Sequence, residues 1–383
     1  MKNILRNLID AQPDRCITYE QFMNTALYHP EKGYYRKPSV KIGKKGDFYT
    51  SSSVHPVFGW TAARFFIDLV EQEGLPPVVC EVGAGDGIFA KAVLEEWKRL
   101  SPSSYGDLQY LMVEESPFQR KQQNGLRMAE NPAVQYDSFQ EMQADWPSFS
   151  GIVFSNELFD AFPVRVVEKV DGVLLEVKVT IDEKGELVEV SVPCHDQQIF
   201  DWIEAYGFPI QEGQRIEIPL VMTHWLEDAA DWMERGAIVT IDYGYTEEEW
   251  QNPRRKEGSL RGYYRHQLVD NPLYRPSEMD VTANIHVDAI RQIGEDHGLD
   301  HLFSITQRDF LLTAGILKHL NDSPSPDPFS LSQRQNRAIG ALISEGSLGN
   351  AFYAILQGKR LSGRFAESWF ARTPIHEAIQ KRR

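Results

Sequence analysis

Val78-Val79-Cys80-Glu81-Val82-Gly83-Ala84-Gly85-Asp86-Gly87-Ile88-Phe89-Ala90, preceded by Pro76-Pro77, is the stretch on which the reading turns. Val78, Val79, Cys80 and Val82 make a short apolar run suited to a strand buried on both faces. Gly83, Gly85 and Gly87 follow at once, and Phe89 to Leu100 has the apolar spacing of a helix. A strand, a glycine-rich turn and a helix N-terminus form the place where an α/β sheet lets its backbone touch a polar ligand. Gly83 and Gly85 can take positive φ and put no Cβ in the ligand's way. The glycines read G-x-G-x-G, not the G-x-G-x-x-G of dinucleotide sites, and Glu81 sits just before them. A carboxylate there repels a pyrophosphate and attracts an ammonium. A structural turn in some other α/β protein stays open at this point, because short glycine motifs recur by chance.

Downstream, Gln109 to Glu114 reads as a second strand ending in a carboxylate. Such a group can accept both hydroxyls of a ribose. It can equally serve the helix that Ser116-Pro117 starts. Ala133 to Tyr136 is a brief third strand, and Asp137 and Ser138 follow where an adenine amino group would find an acceptor. Ser150 to Ser155 is the fourth strand and runs into Asn156-Glu157-Leu158-Phe159-Asp160-Ala161-Phe162-Pro163. Polar groups at the carboxyl end of a central strand sit where α/β sheets place their chemistry. Glu157 and Asp160 face one way if the segment is helical, and a guanidinium with its planar fork of donors suits two carboxylates. Capping of a helix, or pairing with an internal cation, is an equal reading of the same residues.

The remaining chain supplies the frame. Met1 to Leu27 reads as helices, with a capping signal at Thr18 to Gln21. Lys44 to Ser53 has little periodicity and many hydroxyls, and on residues alone a plain surface loop is favoured over one that closes on a ligand. Val164 to Pro219 turns to valine-rich alternation with Asp171-Gly172 and Asp182 to Gly185 turns, hence antiparallel hairpins. Val221 to Met233 is an amphipathic helix, Ala237 to Ile241 a fifth strand, and Thr246 to Ala283 a long polar stretch of poor pattern. Ile285 to Gly298 is helical, Phe303 to Thr306 a strand, and Ala351 to Leu356 a last strand.

Composition narrows the function. With 55 acidic against 40 basic residues the net charge is −15, which disfavours a broad phosphate-binding surface and so a nucleic-acid partner. The 3 cysteines are isolated, so no zinc site, no other metal site and no disulfide framework is suggested. The N-terminus lacks a signal-peptide core and no apolar run reaches membrane-spanning length, so the expected location is cytoplasmic, without membrane insertion.

Together these stretches resemble one family, the MidA family of class I S-adenosylmethionine-dependent methyltransferases. It includes the mitochondrial complex I assembly arginine methyltransferase and bacterial relatives. The residues that carry the likeness are Gly46-Asp47-Phe48-x-Thr50-Ser51, Glu81-x-Gly83-x-Gly85-x-Gly87 and Val113-Glu114-x-Ser116-Pro117. Asn156-Glu157-x-Phe159-Asp160-Ala161-x-Pro163-Val164, Ile241-Asp242-Tyr243-Gly244 and Leu260-Arg261-Gly262-Tyr263 follow in the same order. Asp280-x-Thr282-Ala283 and Thr306-Gln307-x-x-Phe310-Leu311 complete the set.

The resemblance implies an α/β fold, a Rossmann-like seven-strand sheet with helices on both faces, plus an N-terminal helical segment and an antiparallel β insertion. Residues 1–75 would be the helical cap and cofactor-covering loop, 76–163 and 220–383 the cofactor-binding methyltransferase domain, and 164–219 the insertion. The implied cofactor is S-adenosylmethionine. Glu81 would sit near its amino group with Gly83 and Gly85 along its methionine part. Glu114 would hold the ribose, Asp137 or Ser138 the adenine, and Thr50 and Ser51 would lie in the covering loop. Asn156, Glu157 and Asp160 would face the methyl acceptor, a protein side chain with arginine favoured. A homodimer is compatible with this reading. The alternatives are a cofactor-binding assembly factor or chaperone with little catalysis, and a methyltransferase for a small molecule. An NAD dehydrogenase is the weakest rival. One departure stands out: where the family continues after Ala283 with histidine, a hydrophobe and aspartate, this chain has Asn284, Ile285 and His286.

Overall fold

Every residue of Val78–Val82 is buried, as the apolar run requires of a strand with neighbours on both sides and helices above and below. The computed structural model describes residues 1–38, 55–124, 133–322, 325, 327–344 and 351–371. Thr50 and Ser51 lie outside them. The chain divides into two compact units, one of Tyr49–Glu157, Ala229–Asp242 and Gly294–Arg383, the other of Met1–Phe48, Leu158–Asp228 and Tyr243–Ile293.

The first of these is built on one sheet. Its strands are β1 (Val78–Val82), β2 (Gln109–Val113), β3 (Ala133–Tyr136), β4 (Phe149–Asn156), β5 (Met233–Tyr245), β6 (Asp300–Thr306) and β7 (Phe352–Lys359). They lie in the order β3-β2-β1-β4-β5-β7-β6. β1 pairs in parallel with β2 and with β4, β2 with β3, and β4 with β5, while β6 and β7 are antiparallel. The chain therefore moves outward from β1 to β3 and then returns to the other side of β1. That reversal opens a crevice at the carboxyl ends of β1 and β4.

Helices α1 (Val57–Glu73), α2 (Ile88–Leu100), α3 (Pro117–Asn124) and α4 (Phe139–Asp145) connect or cover these strands. Asp86 starts α2 by accepting the Ile88 N–H at 3.1 Å, and Phe89, Val93 and Trp97 bury one face of it. Phe89 stacks on Phe154 of β4 at 4.8 Å. α1 ends at Gly74, whose φ of 61° is the left-handed cap that glycine supplies. The buried Glu73 carboxylate accepts from Ser362 N at 2.6 Å and Phe365 N at 2.9 Å. It thereby fastens the helix Arg364–Ala371, whose Trp369 stacks on Phe303 at 4.8 Å. β4 and β5 come unusually close where Gly151 pairs with Gly236. A Cβ on Gly236 would lie 1.9 Å from the Gly151 carbonyl oxygen.

The other unit opens with helices Lys2–Asp10 and Tyr19–Tyr28, the second held by the expected capping box of Thr18 and Gln21. Arg165–Val170, Val173–Ile181 and Leu187–Pro193 are the expected antiparallel hairpins. A helix, Gln197–Tyr206, follows them, capped by Asp196 and burying Ile199 and Trp202, before the strand Arg215–Ile218 returns to pair with Arg165–Val170. The polar stretch after Thr246 contains a small sheet of Arg261–Tyr264, Gln267–Val269 and Asp280–Thr282. Leu5, Phe22, Met23, Val166, Val177 and Val281 belong to one core cluster of this unit.

His286 lies in this unit with 4% exposure. Its ring stacks on Trp250 at 4.7 Å, and Nε2 donates to the Glu217 carbonyl at 2.8 Å. Burial pushes its pKa down to about 4. The folded protein thus binds fewer protons than the unfolded chain below about pH 6.5, so this contribution is full above that pH and drains away toward pH 4. Denaturant unfolding at about pH 7 and about pH 4.5 should show a His286-dependent loss of about 2–3 kcal/mol. In His286→Phe the difference between the two pH values should shrink by that amount.

Candidate functional site

Val82 of β1 pairs with Ser155 of β4, so Gly83 and Asn156 leave the sheet at the same level. The turn after β1 is held down by its own backbone: Gly83 N and Ala84 N both donate to the Val113 carbonyl, at 2.9 and 3.1 Å. Gly83, Gly85 and Gly87 have φ of 76°, 53° and 79°, a region that only glycine enters without strain. Gly83 is exposed, so its backbone can meet a ligand directly.

Glu114 ends β2 and joins two segments. Oε2 accepts the Gly85 N–H at 2.8 Å and Oε1 accepts the Ser116 N–H at 2.7 Å. The carboxylate serves the start of α3, one of its two expected roles, and each oxygen keeps a second lone pair. Burial raises its pKa to about 7. Glu81 is buried on β1, accepts from the Tyr110 hydroxyl at 2.8 Å, and is raised to about 8 by burial, with the charges of Asp86 and Glu114 adding to the shift. Burial also raises Asp86. Three carboxyl groups therefore crowd one glycine turn. That donor set repels a phosphate and suits a ligand with an ammonium, a sulfonium and ribose hydroxyls.

Asp137 and Ser138 follow β3 as expected and have structural partners. The exposed Asp137 carboxylate is 2.9 Å from Arg120 Nε, and its backbone N–H donates to Glu141 at 2.7 Å. Ser138 caps α4 by accepting the Glu141 N–H at 3.1 Å. Two glutamines carry no motif signal and still touch the site: Gln123 Nε2 donates to the Gly85 carbonyl at 2.7 Å, and Gln135 bonds Gln123. The clue in the sequence is faint, a pair of uncharged polar residues, Gln119 and Gln123, one turn apart on α3; both are buried.

At the end of β4, Asn156 Nδ2 donates to Glu157 Oε1 at 3.1 Å, while the buried Asn156 Oδ1 has no partner among the described residues. Glu157 takes a φ of 52°, a left-handed conformation that costs about 1–2 kcal/mol for a residue with a Cβ. Its N–H is fixed to the Ile241 carbonyl at 2.9 Å. Glu157 is thus not helical, and the shared-helix-face argument for Glu157 and Asp160 does not describe this segment. Asp160 belongs to the other unit, buried in the short 3-10 helix Phe159–Ala161, with its carbonyl accepting from Ala283 N at 2.8 Å. Burial raises the Tyr35 hydroxyl there, with Asp280, Tyr28 and Asp160 adding to the shift, and Tyr35 donates to Asp280 Oδ1 at 2.6 Å. Among the described residues no group of three or more metal-ligating side chains is found, and no helix is long and apolar enough to cross a membrane.

The sequence model of a family described as "Putative S-adenosyl-L-methionine-dependent methyltransferase" matches residues 61–305. The mitochondrial protein arginine methyltransferase NDUFAF7 of Rattus norvegicus is 26% identical over 375 residues, spanning 90% of this chain and 82% of its own. Its homolog in Drosophila melanogaster is 26% identical over 308 residues, with 74% and 68% covered. A crystal structure from Burkholderia thailandensis, bound to S-adenosyl-homocysteine, is 29% identical with a TM-score of 0.85 over 97% of this chain and 94% of that one. These likenesses make the sheet that of a class I methyltransferase and S-adenosylmethionine the cofactor. The cytoplasmic location expected from the sequence is corrected by the same relatives, which are mitochondrial proteins. Isolated cysteines report a reducing environment, which does not single out the cytosol.

A cationic ligand that displaces the protons of Glu81 and Glu114 should bind more tightly as the pH rises between about 6 and 8.5, around the two raised values. Calorimetric titration in buffers of different ionisation heat should show proton release on binding near pH 7. Glu114→Gln should reduce that release and weaken binding by about tenfold or more, as expected for a lost charged hydrogen-bond acceptor.

Proposed function

The chain belongs to this family of S-adenosyl-L-methionine-dependent methyltransferases, the MidA family that its motifs resemble, and from that premise we propose that it methylates arginine side chains of a protein. The observation that carries the proposal is the placement of Glu157, a carboxylate at the carboxyl end of β4, level with the glycine turn and held in a strained backbone conformation. Its support is the arginine methyltransferase name borne by relatives that match most of the chain.

S-adenosylmethionine supplies an activated methyl group when bound. The protein's work is to align the attacking nitrogen and keep water out. Glu81 and Glu114 neutralise and orient the cofactor's polar ends, and Gly83 lets the backbone approach. A guanidinium spreads its charge over three nitrogens, and a carboxylate that accepts its N–H bonds fixes the plane of the fork. Glu157 has that role, with its Oε1 steadied by Asn156 Nδ2. Transfer forms one N–C bond, breaks the C–S bond of the sulfonium, and leaves a proton on the methylated nitrogen that Glu157 can accept on its way to solvent.

The test is transfer of labelled methyl groups from S-adenosylmethionine into protein, followed by acid hydrolysis and chromatography. Label is expected in methylarginine. Recovery in another amino acid, or only in small molecules, would refute the arginine assignment. Glu157→Gln should lower turnover by about 100-fold or more while the cofactor Kd stays within about threefold.

A further inference from the structure

Gly85 is gripped at both of its polar groups. Its N–H goes to Glu114 Oε2 at 2.8 Å, and its carbonyl accepts from Gln123 Nε2 at 2.7 Å. Gln123, on α3, is 1% exposed. Its Oε1 accepts from Gln135 Nε2 at 2.6 Å, and the same Gln135 nitrogen donates to the Arg120 carbonyl at 3.0 Å. Gln135 is on β3, opposite Met112 of β2. The glycine turn, α3 and β3 are thus tied together by two side-chain amides in series.

The polarity of this relay is fixed by chemistry. The carbonyls of Gly85 and Arg120, at its two ends, can only accept, so each must meet an NH2 group. Turning the Gln123 amide over would set oxygen against oxygen at Gly85 and nitrogen against nitrogen at Gln135. The orientation therefore needs no observed hydrogens. A buried amide is costly if unpaired and rigid when every bond is made, and Gln123, 1% exposed, cannot slip without losing its bonds to Gly85 and Gln135. A glycine at positive φ has little of its own to hold it in one conformation.

We propose that Gln123 and Gln135 are positioning residues for the cofactor: the relay locks Gly85, and Gly85 in turn aims the Glu114 carboxylate at the ribose. Neither glutamine needs to touch the ligand. Its effect reaches the site through one glycine and one carboxylate, so it should be read in cofactor affinity and in the proton equilibrium of Glu114.

The experiment is calorimetric titration of the full chain with S-adenosylmethionine across pH, with thermal unfolding of each apo protein alongside. Gln123→Leu keeps the bulk and removes the bond to Gly85. It should raise the cofactor Kd about tenfold, or about 1.4 kcal/mol, with the loss falling on the cofactor KM far more than on kcat. The pH midpoint of binding should move upward, because Glu114 loses the steady N–H that favours its charged form. Gln135→Met breaks the relay one bond further from the turn and should act in the same direction with a smaller effect. Gln135→Lys, which can donate to both Gln123 Oε1 and the Arg120 carbonyl, should recover most of the affinity. Wild-type binding controls for the cofactor assignment itself. An unchanged Kd and pH midpoint in both Gln123→Leu and Gln135→Met would overturn the proposal, whatever happens to their melting temperatures. Should Gln123→Leu fail to fold, Gln135→Met decides alone.

Discussion

The Glu114 carboxylate is the joint on which the glycine turn and the start of α3 depend. It sits where a strand stops, in surroundings dry enough to raise its pKa to about 7, and it draws one N–H from each of two segments. Gly85 comes from the turn after β1, and Ser116 from the start of α3. Pro117 follows at once and brings no N–H to compete for the acceptor. A half-buried carboxylate so placed needs partners, and it finds them in the backbone N–H groups of the turn and of the helix start. The strain-free left-handed turn, the helix start and the end of β2 are therefore solved together, not one at a time.

Much of that arrangement can be read in the chain itself. The run Val78–Val82 admits a single polar residue, Glu81, and such a residue in a strand buried on both faces must have a partner; here it is the Tyr110 hydroxyl. Glu114 is legible for the same reason, as a charge at the end of an apolar strand. Gln123 and Gln135 are not, because an uncharged amide on a polar helix or an edge strand resembles any exposed residue until the third dimension supplies its acceptor. The helix Gln197–Tyr206 is hidden inside a stretch whose valines and turns favour hairpins on both sides. Glu157 is recognised by its place after β4, but its left-handed backbone leaves no mark in residue type. The short strands Arg261–Tyr264 and Gln267–Val269 escape notice because each is brief and neither alternates buried with exposed positions.

Each compact unit is assembled from three separate pieces of the chain. The β-rich unit takes its first helices from the N-terminus, its hairpins from the middle and its small sheet from a later stretch. No continuous fragment contains either core. The sheet likewise borrows β5 from a 14-residue passage, Ala229–Asp242, so each unit needs the full chain for its own strands to be present.

The contact of Gly151 with Gly236 reaches beyond packing. It lies five residues before Asn156 on β4 and before Ile241 on β5, about 17 Å down the strands at their usual rise. No side chain fits there, because the first carbon of one would fall inside the neighbouring backbone. A missense change of Gly236 would press on Gly151 of β4, and one of Gly151 would press on the Val78 carbonyl of β1, so either would displace β4, the strand that ends in Asn156. In a genetic screen it would score with lesions of Asn156 and Glu157, although the altered residue stands toward the other end of the strand.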